Sequence, residues 1–150
     1  MWINLFDTKQ IQVIIDRIDK LKPDTRALWG KMTVGQMLAH SQKPLMVALG
    51  KHQIKRGLMA LLFGKMVKKQ YTSTEPLKHN QPTSKSFIIN GDVNFAEERD
   101  KLKQNLIAFS ELGQAGKLPA AHPFFGKLTP DEWNTLQYKH LDHHLLQFGV

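Results

Sequence analysis

The chain is predicted to be all-α, a bundle of four long helices with one added short basic helix. Three observations predict it. Apolar residues recur at helical spacing in several segments, helix start signals precede those segments, and no convincing strand pattern is present beyond a short extended piece at SFIIN. At 150 residues the chain is long enough to bury one core, so residues 1–150 are read as a single domain.

The first helix begins in DTKQIQVIIDRIDKL, with Asp7 as N-cap, Gln10 as its reciprocal partner, and Ile11, Ile14, Ile15 and Ile18 on one face. The second opens at Thr33 with Gln36 in the capping-box position and stops at Gly50. Pro44 lies inside it and is expected to kink it near His40, because proline cannot donate to the carbonyl four residues back. Residues 53–69 form the added basic helix, weakened by Gly57 and Gly64. Its Leu58, Leu61, Leu62 and Met66 are expected to pack on the bundle. A long loop spans 70–92, where two prolines and many turn formers break the pattern. Asn94 with Glu97 starts the next helix, which stops at Gly113. The last has the best start signal: Thr129 as N-cap, Pro130 at the first position, Glu132 closing the box, and a run to about Phe148.

Composition narrows the chemistry. There is no cysteine, which excludes disulfides, a thiol nucleophile of the chain's own and thiolate metal sites. The N-terminus lacks the charged and apolar regions of a secretory signal, and the longest apolar run, LMALLF, is too short to cross a bilayer, so a cytoplasmic location is expected. Between Asp24 and Glu75 there is no acidic residue and there are nine lysines and arginines, within a formal charge of +8. Aromatics are not interleaved with these basic residues and no helix-turn-helix or RNP pattern occurs, which disfavours nucleic acid as a partner, and the expected packing of the 53–69 apolar stripe on the bundle disfavours a membrane. A solvated basic face, or one that steers an anionic small molecule, fits better.

Three of the seven histidines fall within YKHLDHHLLQFGV at the C-terminus. At 100° per residue, His140 and His144 lie about 40° apart with Trp133 between them, on the face that also carries Leu136 and Gln147. Asp142 and Lys139 are placed on the wet face, and Tyr138 opposite His140. Histidines at i and i+4 can both reach one divalent ion, or they can be hydrogen-bonded core residues. A metal needs a third ligand from another helix, and His40 is the only other histidine inside a predicted one. His143, about 60° round from His140, is a rim or second-layer residue. His122 in AHPFFG, ahead of Pro123, could cap a helix, line a pocket entrance or be exposed, while His52 and His79 are read as surface residues.

GKMTVGQMLAHSQKPL, followed far downstream by HPFFGKLTPDEWNTLQYKHLDHHLLQFG, resembles a bacterial family of unknown function within the DinB-like superfamily, whose members are regarded as metalloenzymes. The resemblance implies a four-helix bundle of up-down-down-up topology. It also implies a metal triad of His40, His140 and His144; around that triad His143, Gln147 and His122, placed by the helix face and the AHPFFG loop, are the candidate second-layer or pocket residues. It further implies a divalent ion, Zn²⁺ or Ni²⁺ first, and thiol-dependent S-transfer with a low-molecular-weight thiol as co-substrate. Metal-dependent hydrolysis, or a non-catalytic stress-related bundle that holds a metal or small ligand, are the alternatives. A small-molecule substrate is the expected partner, with a second copy of the chain as a further one. Metal uptake is expected to weaken as pH falls through about 6.5, the ordinary histidine value.

Overall fold

Two threonines start the two helices that matter most for the site. Thr33 Oγ1 accepts from the Gln36 backbone N–H, and Gln36 Oε1 accepts from Thr33 N–H, closing a reciprocal box at the head of α2 (Val34–Ala48). Thr129 and Glu132 do the same for α5 (Pro130–Gln147). Each box satisfies two backbone N–H groups that would otherwise lack a partner. The computed structural model describes residues 3–54, 58–73 and 75–150.

The other helices are α1 (Thr8–Asp19), α3 (Leu58–Thr72) and α4 (Phe95–Gln114). Asp7 caps α1 by accepting from the N–H of Lys9 and Gln10, but the box is not reciprocal: Gln10 Oε1 accepts from Asn4 N–H instead. Gly50, at φ +69°, follows the end of α2. Pro44 does not end α2, and Gln137 of α5 donates its Nε2 to the Pro44 carbonyl.

The chain is mostly helical, as its pattern predicts, and α2 packs chiefly along α4. α1 packs on α4 and α5, α2 also meets α5, and α3 lies on α5. Ile14 and Ile18 of α1, Met37, Leu38 and Leu45 of α2, Leu102, Leu106 and Phe109 of α4, and Trp133, Leu141 and Leu145 of α5 are fully buried in one cluster. The spacing of these residues is that of one apolar stripe per helix, and their burial is the main stabilising term. Among the described residues, no helix is long and apolar enough to cross a membrane.

Several expectations are corrected. The added helix is not short: α3 has 15 residues against 12 in α1, and it begins and ends later than 53–69. Gln53 and Ile54 are coil, and the part of the expectation at 55–57, Gly57 included, lies outside the described residues. Gly64 has a packing role: a Cβ there would sit 2.6 Å from the Phe124 carbonyl oxygen, so the glycine lets α3 approach that backbone. Leu62 and Met66 do not pack on the helices but stand 65% and 67% exposed, because α3 meets α5 by another face.

Gly113 does not stop α4. The helix runs on to Gln114 and turns at Gly116, φ +66°, while Gly113 leaves room for the Phe6 ring. SFIIN forms a 3₁₀ turn at Lys85–Phe87 with an extended Ile88, not a strand. Among the described residues the strands are a two-residue antiparallel pair, β1 (Ala121–His122) and β2 (Gly126–Lys127), joined through Pro123, Phe124 and Phe125.

Candidate metal centre

α2 and α5 bring His40, His140 and His144 together. One ring nitrogen from each lies within 4.8 Å of the other two, and the ring centroids are 4.6–5.0 Å apart. His40 Nε2 stands 3.1 Å from His140 Nε2. Two nitrogens bound to one tetrahedral ion at about 2.1 Å would be separated by about 3.4 Å, so this pair stands within a few tenths of an ångström of a ligand spacing.

The hydrogen bonds around the rings decide which nitrogens are available. Phe87 O can only accept, and it lies 2.9 Å from His40 Nδ1, so that nitrogen carries the proton and Nε2 keeps its lone pair. Trp29 O can likewise only accept, and Gln147 donates Nε2 to it at 2.7 Å. That bond orients the amide, turning Gln147 Oε1 toward His144 Nδ1 at 2.8 Å. His144 Nδ1 is therefore the donor, and its Nε2 is the atom left to offer.

His140 is the ring without a settled state. Its Nδ1 is covered and has no hydrogen-bond partner, while its Nε2 faces the lone pair of His40. A proton on Nε2 leaves a buried unmet acceptor. A proton on Nδ1 leaves an unmet donor and sets two lone pairs against each other. Either costs roughly 1–3 kcal/mol, and a cation shared by the Nε2 atoms removes the lone-pair conflict. The residues thus fit a divalent ion. His140 retains some solvent exposure, whereas His40 and His144 are buried.

All three imidazoles are held below the ordinary histidine pKa. Burial is the largest cause for each: it moves His144 to about 3, His140 well down with the help of its histidine neighbours, and His40 down in spite of the Phe87 carbonyl. The rings are neutral at pH 7, which is the ligating form. The expected loss of metal as pH falls through about 6.5 therefore moves to lower pH, because burial keeps protons off the apo site.

The neighbours sort unevenly. Gln147 is buried and holds His144. His143 lies beside His144, with ring centroids 5.1 Å apart, and faces away toward Trp29 and His79. His122 is elsewhere: it is buried against Trp133 and Phe125, and its Nδ1 accepts from the N–H of Phe124 and Phe125. It caps the β1–β2 turn. Lys139 is not on a wet face but 3% exposed, donating to the carbonyls of Gln70 and Ser73 at the end of α3. Asp142 pairs with Arg17 at 2.7 Å.

Two participants escape sequence reasoning, the carbonyl oxygens of Phe87 and Trp29. Backbone oxygens carry no residue signature, and both lie in connecting segments. His79 is exposed, as its turn-rich context predicts, and its ring stacks on Trp29 at 3.9 Å.

No curated protein and no solved structure matches the chain. One family, described as Protein of unknown function (DUF1569), matches over residues 6–149. That span includes all three converging histidines and both helices that carry them, and the chain belongs to this family.

Proposed function

We propose that the chain is a divalent-metal-dependent enzyme acting on a small molecule, with His40, His140 and His144 as ligands of Zn²⁺ or Ni²⁺. We take α1, α2, α4 and α5 as a DinB-like bundle of up-down-down-up order, with α3 as the addition. The observation that carries the reading is the meeting of three neutral imidazoles. Two of them are fixed by the Phe87 carbonyl and by Gln147 so that Nε2 holds the free lone pair, and the third meets His40 through Nε2 while its buried Nδ1 has no partner.

Three protein ligands would leave room for a further ligand, and an ion held by His40, His140 and His144 would supply Lewis acidity and lower the pKa of a bound water toward about 7 or stabilise a thiolate. The chain's own residues do the positioning. Phe87 O and Gln147 fix ring orientation, and the buried sides of His40 and His144 exclude water. With no cysteine in the chain, the nucleophilic sulfur of an S-transfer would have to arrive on a low-molecular-weight thiol.

The test is turnover. Metal-stripped protein reloaded with Zn²⁺ or Ni²⁺ is incubated with a panel of small thiols and an electrophile, and the thioether product is quantified. Product formed only by loaded wild type, and lost in His144→Ala, supports the reading. Ester or amide hydrolysis under the same metal dependence would replace S-transfer by hydrolysis. Metal uptake without any turnover would reduce the site to a binding centre.

A further inference from the structure

The two faces of α3 have different surroundings. Gly64, Lys68 and Tyr71, at i, i+4 and i+7, face inward. Gly64 lies against the Phe124 carbonyl, the Lys68 ammonium meets Glu132 at 2.8 Å and the Lys127 carbonyl at 2.7 Å, and the Tyr71 ring packs on Phe125. Leu62, Met66 and Lys69 repeat that spacing on the opposite side. There Leu62 is 65% and Met66 67% exposed, Phe63 beside them is 41% exposed, and Lys69 is exposed too.

A helix that turns leucine, methionine and phenylalanine to water has an apolar face that its own fold leaves uncovered. The sequence sets a membrane aside because this stripe is expected to pack on the bundle. The exposure of Leu62 and Met66 removes that ground.

Charge narrows what can cover the face. α3 contains three lysines and no acidic residue, and none occurs anywhere between Asp24 and Glu75. A second copy of the same face would set lysine against lysine, with no carboxylate on either helix to pair them. An anionic bilayer offers phosphates to the lysines and a fluid apolar layer to the projecting side chains, which need no matching pocket there.

We propose that the outer face of α3 seats the chain on the surface of a negatively charged lipid bilayer. Leu62, Phe63 and Met66 enter the boundary between headgroups and acyl chains, and Lys69 meets the headgroup phosphates. α3 lies along the surface and does not cross it. None of these residues belongs to the histidine trio, so the assignment is independent of the metal reading.

The test is co-sedimentation of the full chain with vesicles of phosphatidylcholine alone and of an equal mixture with phosphatidylglycerol. The mixed vesicles should bind it at least tenfold more tightly, and raising the salt should weaken that binding. Leu62→Ser combined with Met66→Ser should lower the affinity at least tenfold. Lys69→Gln should lower it about fivefold, the usual share of one lysine at an anionic leaflet. Both variants alter exposed positions, and an unchanged far-ultraviolet circular dichroism spectrum checks that the helices persist. No binding to the mixed vesicles, equal binding to both kinds, or full affinity in the Leu62→Ser, Met66→Ser variant overturns the proposal. So does a wild-type dimer in sedimentation equilibrium that the same variant dissociates, which would give the face to a second copy.

Discussion

Gln147 ties two distant parts of the chain to one imidazole: its Nε2 donates to the Trp29 carbonyl, and its Oε1 faces His144 Nδ1 at 2.8 Å. A backbone oxygen 118 residues away thereby sets which tautomer His144 adopts.

Removing that relay should weaken the site without unfolding the chain. Gln147→Leu is expected to lower Zn²⁺ affinity by about 10–100-fold, the usual effect of losing a group that orients a ligand. Gly30→Ala should act the same way, because Gly30 sits at φ +82° and a Cβ there would come 2.5 Å from Gln147 Nε2. Competition against a chelating indicator measures both. Wild-type affinity in both variants would mean that His144 needs no orienting partner.

Stability should fall in mild acid, and His122 provides the cleanest handle. Burial lowers it to about 4, and its Nδ1 must stay unprotonated to accept from Phe124 and Phe125 N–H. A lowered histidine is protonated first in the unfolded chain, so its share of stability is complete above about pH 6.5 and is lost as pH falls toward about 4. That share is about 3 kcal/mol at most. His122→Asn keeps an acceptor for the turn and cannot titrate. Urea unfolding at pH 7.5, 6 and 5 should show a shallower acid loss in His122→Asn than in wild type, and equal losses would contradict the assignment.

Lys139 should hold down the end of α3. Its ammonium donates to two carbonyls there, and hydrogen bonds to a charged group are worth about 1.5–3 kcal/mol each. Lys139→Met is expected to speed amide exchange near residues 66–73 by roughly tenfold or more, with little change in α2 and α4. Unchanged exchange at the end of α3 would show that its other contacts suffice.

What was legible in the sequence is what is local. Thr33 and Thr129 announce their helices because a capping box closes within four residues, and the i, i+4 spacing of His140 and His144 follows from helix geometry alone. What was missed depends on distant chain. A helical wheel puts Lys139 toward water, but α3 folds across that face and gives the ammonium its carbonyls. Gly113 looks like a stop signal, yet Phe6 fills the space it leaves. The β1–β2 pair, with two residues in each strand, is too short for any alternation to be seen.

The central claim is that three imidazoles share one ion, and calorimetric titration of Zn²⁺ and Ni²⁺ into metal-stripped protein at pH 7.5 tests it most directly. Wild type should bind one ion per chain. His144→Ala should lose that stoichiometric binding yet unfold at nearly the same temperature, since the fold draws on its apolar core. His52→Ala, which removes a histidine outside the trio, should bind as wild type does. Equal uptake by wild type and His144→Ala, or no uptake by either, would contradict the account.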